Sequence, residues 1–254
     1  PDILSVSWTG SRYVFLCDIG EKALVFTTNS SFSDIRCMNM DGCALQTSGS
    51  LVVALYKYSN VTPGIAGVRT AATLAGLATA PLTMLSFPAQ DMAYGAGVFC
   101  SVDRNGNIYT STDGVTWTLR TTLTWLTYYQ RIRFVGGSFI VYGGTNRFYH
   151  STDGISWDTD SGLAFVPEAF GYGNDGSSNV FLVAEQGGNL RKTSILGSSW
   201  TTIATGAYTG NCRDIIKSGS NWFLAAGELS YAAAAATSWT AVTLPGGTTA
   251  SGMK

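Results

Sequence analysis

The sequence contains few charged residues and few side chains that bind metals. Only 12% of its 254 residues are charged, and the net charge is −1; the usual charged share is roughly 25%. Because nucleic-acid binding requires clustered Lys and Arg, this balance argues against a nucleic-acid partner. There is a single histidine, His150, and no Cys-x-x-Cys pair. We therefore expect no zinc site, no other metal and no cofactor.

Long apolar runs and a disulfide framework are also missing. No run reaches the roughly 18 residues of a membrane span, and the nearest candidate, residues 71–85, is interrupted by Pro81. We expect no membrane insertion. The five cysteines form an odd set, and Cys17 and Cys100 lie in apolar runs, where free cysteine behaves as a small buried hydrophobe. The chain begins at Pro1 rather than Met, which indicates processing or a longer polypeptide.

Glycine and apolar residues are plentiful, and they recur in a pattern. The chain has 30 glycines and 45% hydrophobic residues, a composition typical of a folded, turn-rich β protein rather than a disordered one. A glycine turn followed by a strand-like segment recurs six times, about 42 residues apart. The first glycines of these turns are Gly10, Gly49, Gly95, Gly136, Gly176 and Gly219. Six such units fill the chain and leave no room for a second domain.

Each unit has the same internal order. An alternating segment such as IRFV precedes the glycine turn, a β-rich strand follows it, and a Gly/Asn turn such as RNGN leads to two more short strands. Four antiparallel strands in 40–45 residues are typical of a propeller blade. We predict an all-β protein without helices, a six-bladed β-propeller of four-stranded antiparallel blades. The single domain, 1–254, would have blades at roughly 1–40, 41–88, 89–124, 125–165, 166–207 and 208–254.

A heptad marks four of the units. It reads STDGVTW at 111–117 and STDGISW at 151–157, then decays to SILGSSW at 194–200 and AAAATSW at 233–239. The tryptophan persists, whereas the aspartate becomes Leu196 and then Ala235. A catalytic or metal-binding carboxylate would not be replaced in this way, but a turn residue can be, since Asp and Ser bond backbone amides and Gly supplies a positive φ.

We therefore predict a structural turn, with the tryptophan buried between strands or blades. The predicted structural residues are Ser111, Asp113, Gly114, Trp117, Ser151, Asp153, Gly154, Trp157, Ser194, Gly197, Trp200 and Trp239.

These heptads resemble the Asp-box, or BNR, repeat of β-propellers known from sialidases, sortilin-like receptors and photosystem assembly factors. They are also similar to heptads in phage tail and decoration proteins. The resemblance implies that the box lies on the turn between the third and fourth strands of a blade, on the face away from an active site. It implies a fold and says little about function, because propellers carry many activities.

The catalytic groups of the sialidases in that family have no clear counterpart here. The sequence lacks their Arg-Ile/Leu-Pro motif, and glycoside hydrolysis needs two carboxylates beside one bond. Carboxylates that follow the second strands could form a ring at one mouth of the axial channel, but solvated turn carboxylates are the simpler interpretation. These residues are Asp18, Asp103, Glu185 and Glu228. We predict that the protein is not an enzyme, with a sialidase-like glycosidase as the minor alternative.

Binding is expected on the face opposite the heptads. The segment TTLTWLTYYQR (121–131) carries Trp125, Tyr128, Tyr129 and Arg131, whose rings and polar neighbours suit a saccharide or protein. The alternative is that these rings face the core, and the same two interpretations apply to the loop 158–170, which carries Phe165 and Phe170.

The low charge and the many Ser, Thr, Gly and Asn residues are common in virion appendages and secreted surface proteins. We predict a structural or receptor-binding module of a virion, a phage tail or capsid decoration, within an oligomeric assembly. Its partners would be other virion proteins or host glycans. The alternative is a secreted, extracellular lectin.

Overall fold

The computed structural model describes five continuous stretches and four isolated strands. The stretches are residues 44–58, 65–73, 75–124, 130–226 and 229–241, and the strands, given as backbone only, are 2–8, 13–18, 23–28 and 36–40. The strands form six four-stranded antiparallel sheets, each built from four consecutive strands. Side chains are described in the second to the sixth of these sheets.

The first three sheets lie in the first half of the chain. The first contains β1 (Asp2–Trp8), β2 (Tyr13–Asp18), β3 (Ala23–Thr28) and β4 (Arg36–Met40). The second contains β5 (Ala44–Thr47), β6 (Val52–Tyr58), β7 (Ile65–Ala71) and β8 (Thr83–Met84). The third contains β9 (Ala89–Gly95), β10 (Val98–Asp103), β11 (Asn107–Ser111) and β12 (Thr118–Thr122).

The remaining three sheets repeat the same order. The fourth contains β13 (Arg131–Val135), β14 (Ser138–Tyr142), β15 (Phe148–Ser151) and β16 (Asp158–Asp160). The fifth contains β17 (Pro167–Asn174), β18 (Asn179–Glu185), β19 (Leu190–Thr193) and β20 (Thr201–Ala204). The sixth contains β21 (Asp214–Ser218), β22 (Asn221–Ala225), β23 (Leu229–Ala232) and β24 (Trp239–Ala241). Each sheet falls within one of the six segments expected from the repeat.

The sheets pack face to face through apolar clusters. One such cluster lies between the second and third sheets, and others lie between the third and fourth, the fourth and fifth, and the fifth and sixth. Covering both faces explains why the second strands are continuous apolar runs rather than alternating ones. In β14 (SFIVY) every residue is buried, and in β18 (NVFLVAE) every residue after the first.

The first strands of successive sheets lie against each other. β5 contacts β1 and β9, while β13 contacts β9 and β17, and β17 also contacts β21. The first strands therefore form the inner row of the arrangement, and the fourth strands β12, β16, β20 and β24 are the outer edges of their sheets. The all-β, propeller-like architecture predicted from the repeat is confirmed.

The second sheet departs from the expected absence of helix. A single 3-10 turn, Ala75–Ala78, lies in the connection from β7 to β8, where the other sheets have the heptad. Leu77 is fully buried there, and its carbonyl accepts a hydrogen bond from Arg69 Nη1 at 3.3 Å. The longer connection explains why the second unit has no copy of the heptad.

Candidate functional site

The heptad 111–117 forms a compact turn between β11 and β12. Asp113 Oδ1 accepts hydrogen bonds from the amides of Val115 (2.8 Å) and Thr116 (2.7 Å) and from the Ser111 hydroxyl (2.8 Å). Ser111 Oγ in turn accepts from the Gly114 amide at 2.8 Å. Gly114 has φ +71°, a left-handed conformation that disfavours side chains. The carboxylate is therefore used inside its own turn.

The heptad 151–157 repeats this geometry between β15 and β16. Asp153 Oδ1 accepts from the amides of Ile155 (2.7 Å) and Ser156 (2.8 Å) and from the Ser151 hydroxyl (2.9 Å). Gly154 donates its amide to Ser151 Oγ at 2.8 Å and has φ +74°. Two turns 40 residues apart thus share one hydrogen-bond scheme to within about 0.1 Å.

These contacts stabilise the ionised carboxylates. Burial alone would raise the pKa of Asp113, but the amides of Thr116 and Val115 and the Ser111 hydroxyl outweigh it and lower the pKa to about 2. The pKa of Asp153 is also lowered, chiefly by the Ile155 amide and then by that of Ser156. A carboxylate committed to amides in this way is a poor proton donor or acceptor near neutral pH.

The third copy, between β19 and β20, reaches a similar turn with different groups. Thr193 Oγ1 accepts from the Ile195 amide at 3.4 Å, as Ser111 does from Asp113, and it shares a hydrogen bond with Ser198 Oγ at 2.8 Å. Thr193 is buried and ends β19, whereas Ser194 is exposed. The residue equivalent to Ser111 is therefore Thr193 and not the predicted Ser194.

The carboxylate missing from this third copy is supplied by the preceding sheet. Asp160 Oδ2, at the end of β16, accepts from the Gly197 amide at 2.9 Å. Leu196, which occupies the aspartate position, packs instead on the apolar cluster between the fourth and fifth sheets. The turn is thus held by its neighbour as well as by its own residues.

The fourth copy keeps the backbone path with no aspartate and no glycine. Ala236 takes the glycine position with φ +53°, and its carbonyl accepts from Trp239 Nε1 at 3.0 Å. In the first copy the Gly114 carbonyl accepts from Trp117 Nε1 at 3.1 Å. The left-handed residue and the tryptophan are therefore what the first and fourth copies share.

Each heptad tryptophan packs between its own sheet and the preceding one. Trp117 meets Phe87 edge to face, with ring centroids 5.9 Å apart, in the cluster of the second and third sheets. Trp157, Trp200 and Trp239 pack on the next three clusters in order. The rings thus join neighbouring sheets, the geometry expected for such large apolar side chains.

The carboxylates that follow the second strands are structural too. Asp103 is 1% exposed and accepts from the amides of Asn105 (2.7 Å) and Asn107 (2.9 Å). Glu185 is 3% exposed, accepts from Arg191 Nε at 2.6 Å, and also bonds Asn189. The prediction that these carboxylates are solvated is wrong, because each is buried under the turn that it tightens. The side chains of Asp18 and Glu228 lie outside the described residues.

The predicted binding aromatics are only partly testable. Trp125, Tyr128 and Tyr129 lie outside the described residues. Phe165 and Phe170 are buried and meet Trp200 edge to face, so these two rings belong to the core rather than to a binding surface. This is the alternative that the sequence had left open for the loop 158–170.

Arg131 belongs instead to a charged cluster on the inner strands. Its Nη1 donates to the Arg213 carbonyl of the sixth sheet at 2.8 Å, and Arg133 Nη2 pairs with Asp214 Oδ2 of the same sheet at 2.9 Å. On the other side, Asp91 Oδ2 in β9 accepts from the Ile132 amide at 3.0 Å. The fourth sheet is therefore tied to the third and, past the fifth, to the sixth.

Electrostatics within this inner cluster is nearly balanced. Burial raises the pKa of Asp91, while the nearby Arg133 partly offsets the rise. Burial also raises the pKa of Tyr142, which pairs with Arg131 across β13 and β14. Two arginines thus face two aspartates, which suits a brace between sheets. Sequence reasoning missed this cluster, although its signal was visible as charged residues in the first strands (QDMA, RIRF and RDII).

The remaining reactive groups are protected by burial. Burial raises the pKa of the Cys100 and Cys212 thiols, which are free and deeply buried, so neither is a ready nucleophile. Within the part of the chain that the structure describes, no His, Cys, Asp and Glu side chains group into a metal site. No helix among those residues is long and apolar enough to cross a membrane.

Comparison with known proteins identifies the fold. No protein-family model and no curated protein sequence matches the chain. Among solved structures, YCF48 from Cyanidioschyzon merolae matches with a TM-score of 0.67 and 12% identity, over 94% of this chain and 84% of that chain. A chain of the mitotic checkpoint complex matches with a TM-score of 0.65 and 11% identity, over 94% and 78%. A chain of a nidogen/laminin complex matches with a TM-score of 0.59 and 11% identity, over 89% and 91%.

The first two of these structures are β-propellers. Their arrangement and the four-stranded sheets seen here place the chain in the class of propeller-like all-β proteins. At 11–12% identity the likeness extends to the fold alone.

Proposed function

We propose that this chain is a non-enzymatic β-propeller of the Asp-box type, a structural or receptor-binding component of a virion. It would close six blades into a ring and contact other virion proteins or host glycans, as part of a phage tail or capsid decoration. The closed ring is supported by the row of first strands and by the contacts that Arg131 and Arg133 make past the fifth sheet.

The observation that carries the proposal is the structural use of acidic side chains. Asp103, Asp113, Asp153 and Glu185 each accept two or more hydrogen bonds from their own sheet or turn. Groups held in this way stabilise turns and are unsuited to proton transfer. A rigid scaffold is what a binding or assembly module requires, and this favours it over a sialidase-like glycosidase.

The virion assignment rests on two further features. The heptads resemble those of phage tail and decoration proteins, and the chain combines low charge with many glycines and short polar turns. Tight turns and buried faces also suit a protein that must resist proteolysis outside the cell.

The assignment is tested by following the protein in an infected culture. An antibody against the chain should detect it on gradient-purified particles and in an oligomeric fraction. Finding it only as a free monomer in the lysate, never on particles, would contradict the proposal. Hydrolysis of fluorogenic glycosides by the purified chain would instead support the glycosidase.

The secreted lectin remains the second candidate because of the aromatic segment 121–131. A glycan array should then show binding that is lost in Trp125→Ala or Tyr128→Ala. Binding unchanged by both substitutions would remove this segment as the glycan site.

A further inference from the structure

A groove lies at the rim of the molecule between the fifth and sixth sheets. It has a volume of about 480 Å³, within the range of small-ligand sites. One wall is the edge strand β20 with the residues that follow it, and the other is the segment 237–239 that leads into β24. The described residues that line it carry no charge.

The groove has an apolar floor and a hydroxyl rim. Ile203, Ala204 and Trp239 are half-buried and pack on the cluster between the two sheets. Thr202, Thr205 and Thr237 are exposed around them. An apolar floor with neutral donors and acceptors at its edge suits a ligand that has both a nonpolar face and hydroxyl groups.

The tryptophan in this groove presents its ring rather than its N–H group. Trp239 Nε1 already donates to the Ala236 carbonyl at 3.0 Å, so the indole has no further donor to offer a ligand. What it offers is an apolar surface, on which the C–H face of a sugar ring can stack while its hydroxyls reach the threonines.

We infer that this groove is a binding subsite for a neutral saccharide. The subsite is distinct from the aromatic segment 121–131. It deepens the glycan part of the proposed function, but its failure would leave the virion role to be decided by particle fractionation.

The test follows the indole N–H resonance of Trp239 in a 15N-labelled sample of the full chain. The resonance is assigned by its loss in Trp239→Phe. Maltotriose, cellotriose and chitotriose are titrated in turn, and at least one should shift this signal together with the amide signals of Thr202 and Thr237. The indole signal of Trp117, which holds the same place in its heptad with the same kind of internal hydrogen bond, should stay unchanged.

Matched variants separate binding from folding. Trp239→Phe should weaken saccharide binding roughly three- to tenfold, whereas Trp117→Phe should leave it unchanged. Thr202→Val should weaken binding by up to about tenfold. Thr201→Val, one residue earlier on the same edge strand and outside the lining, should have no effect.

Three results would overturn the inference. The first is that none of the trisaccharides shifts the Trp239 indole signal. The second is that binding survives both Trp239→Phe and Thr202→Val in variants with native thermal unfolding. The third is that an extended threonine-rich peptide, and no sugar, shifts the amides of β20, which would identify the groove as a site for strand addition.

Discussion

The intact and the degenerate heptad turns follow the same path with different chemistry. At 111–117 and 151–157 an aspartate collects two amides and a hydroxyl of its own turn. At 194–200 two hydroxyls and a carboxylate from the neighbouring sheet do this work, and at 233–239 an alanine accepts a left-handed conformation. The aspartate is thus one of several ways to stabilise a turn whose fixed requirements are the backbone path and the tryptophan.

The two kinds of turn also differ in what lies beneath them. A Cβ atom on Gly114 would lie 2.5 Å from Val53 Cγ2 of the second sheet, whereas one on Gly197 would have no heavy atom nearer than 3.7 Å. The intact turn therefore rests directly on the preceding sheet, and the degenerate turn is linked to it through the Asp160 carboxylate. This difference can be tested by substitution.

The largest effect is expected at the glycine position. Gly114→Ala should lower the free energy of unfolding by about 3 kcal/mol, because left-handed strain adds to overlap with Val53 and Thr70. Gly197→Ala carries only the strain and should lower it by about 1 kcal/mol. Urea unfolding of both variants gives the comparison, and equal losses would show that the close packing under Gly114 is unimportant.

The second effect concerns the lost aspartate. Leu196→Asp restores the consensus heptad, yet it should destabilise the protein by about 2 kcal/mol. A half-buried leucine leaves the cluster of the fourth and fifth sheets, and the new carboxylate lies in the turn that Asp160 already serves. Leu196→Ala, expected to lose about 1 kcal/mol, separates packing from charge. A higher melting temperature for Leu196→Asp would contradict this account.

The sequence predicted the repeat well because its signals are local. Glycine turns, period-2 strands and the persistent tryptophan are fixed by neighbouring residues, so the sheets and the heptad turns could be located from the spacing alone. Contacts between sheets carry no such local signal. The link from Asp160 to Gly197, the brace from Arg133 to Asp214 and the burial of Glu185 became visible only in three dimensions.

A third effect distinguishes the turns by pH. The pKa of Asp113 is lowered to about 2, so its stabilising contribution is present above the unfolded-state pKa and is lost as the pH falls through the folded-state value. Asp113→Asn should therefore lower the free energy of unfolding by about 1 kcal/mol near neutral pH, a figure reduced for solvent screening of this exposed group. The deficit should shrink between about pH 4 and pH 2.

The degenerate turn supplies the control for this pH dependence. Ser198 Oγ donates to the Ile195 carbonyl at 2.6 Å, and neither group titrates in this range. Ser198→Ala should therefore produce a loss that is the same at both ends of the pH range. A deficit for Asp113→Asn that stays constant with pH would show that the carboxylate charge contributes nothing to its turn.

The smallest effect is expected where alanine replaces glycine in the fourth copy. Ala236 at φ +53° and Ala96 at φ +48° share the left-handed strain, but Ala236 is 3% exposed within a core cluster while Ala96 is exposed. Ala96→Gly should stabilise the protein by about 0.5 kcal/mol, because relief of strain exceeds the added freedom of the unfolded chain. Ala236→Gly also removes a buried methyl group worth about 0.8 kcal/mol and should be neutral or slightly destabilising. If differential scanning calorimetry shows Ala236→Gly to be the more stabilising of the two, strain rather than packing dominates the degenerate turn, and its alanine is a defect that the surrounding core only tolerates.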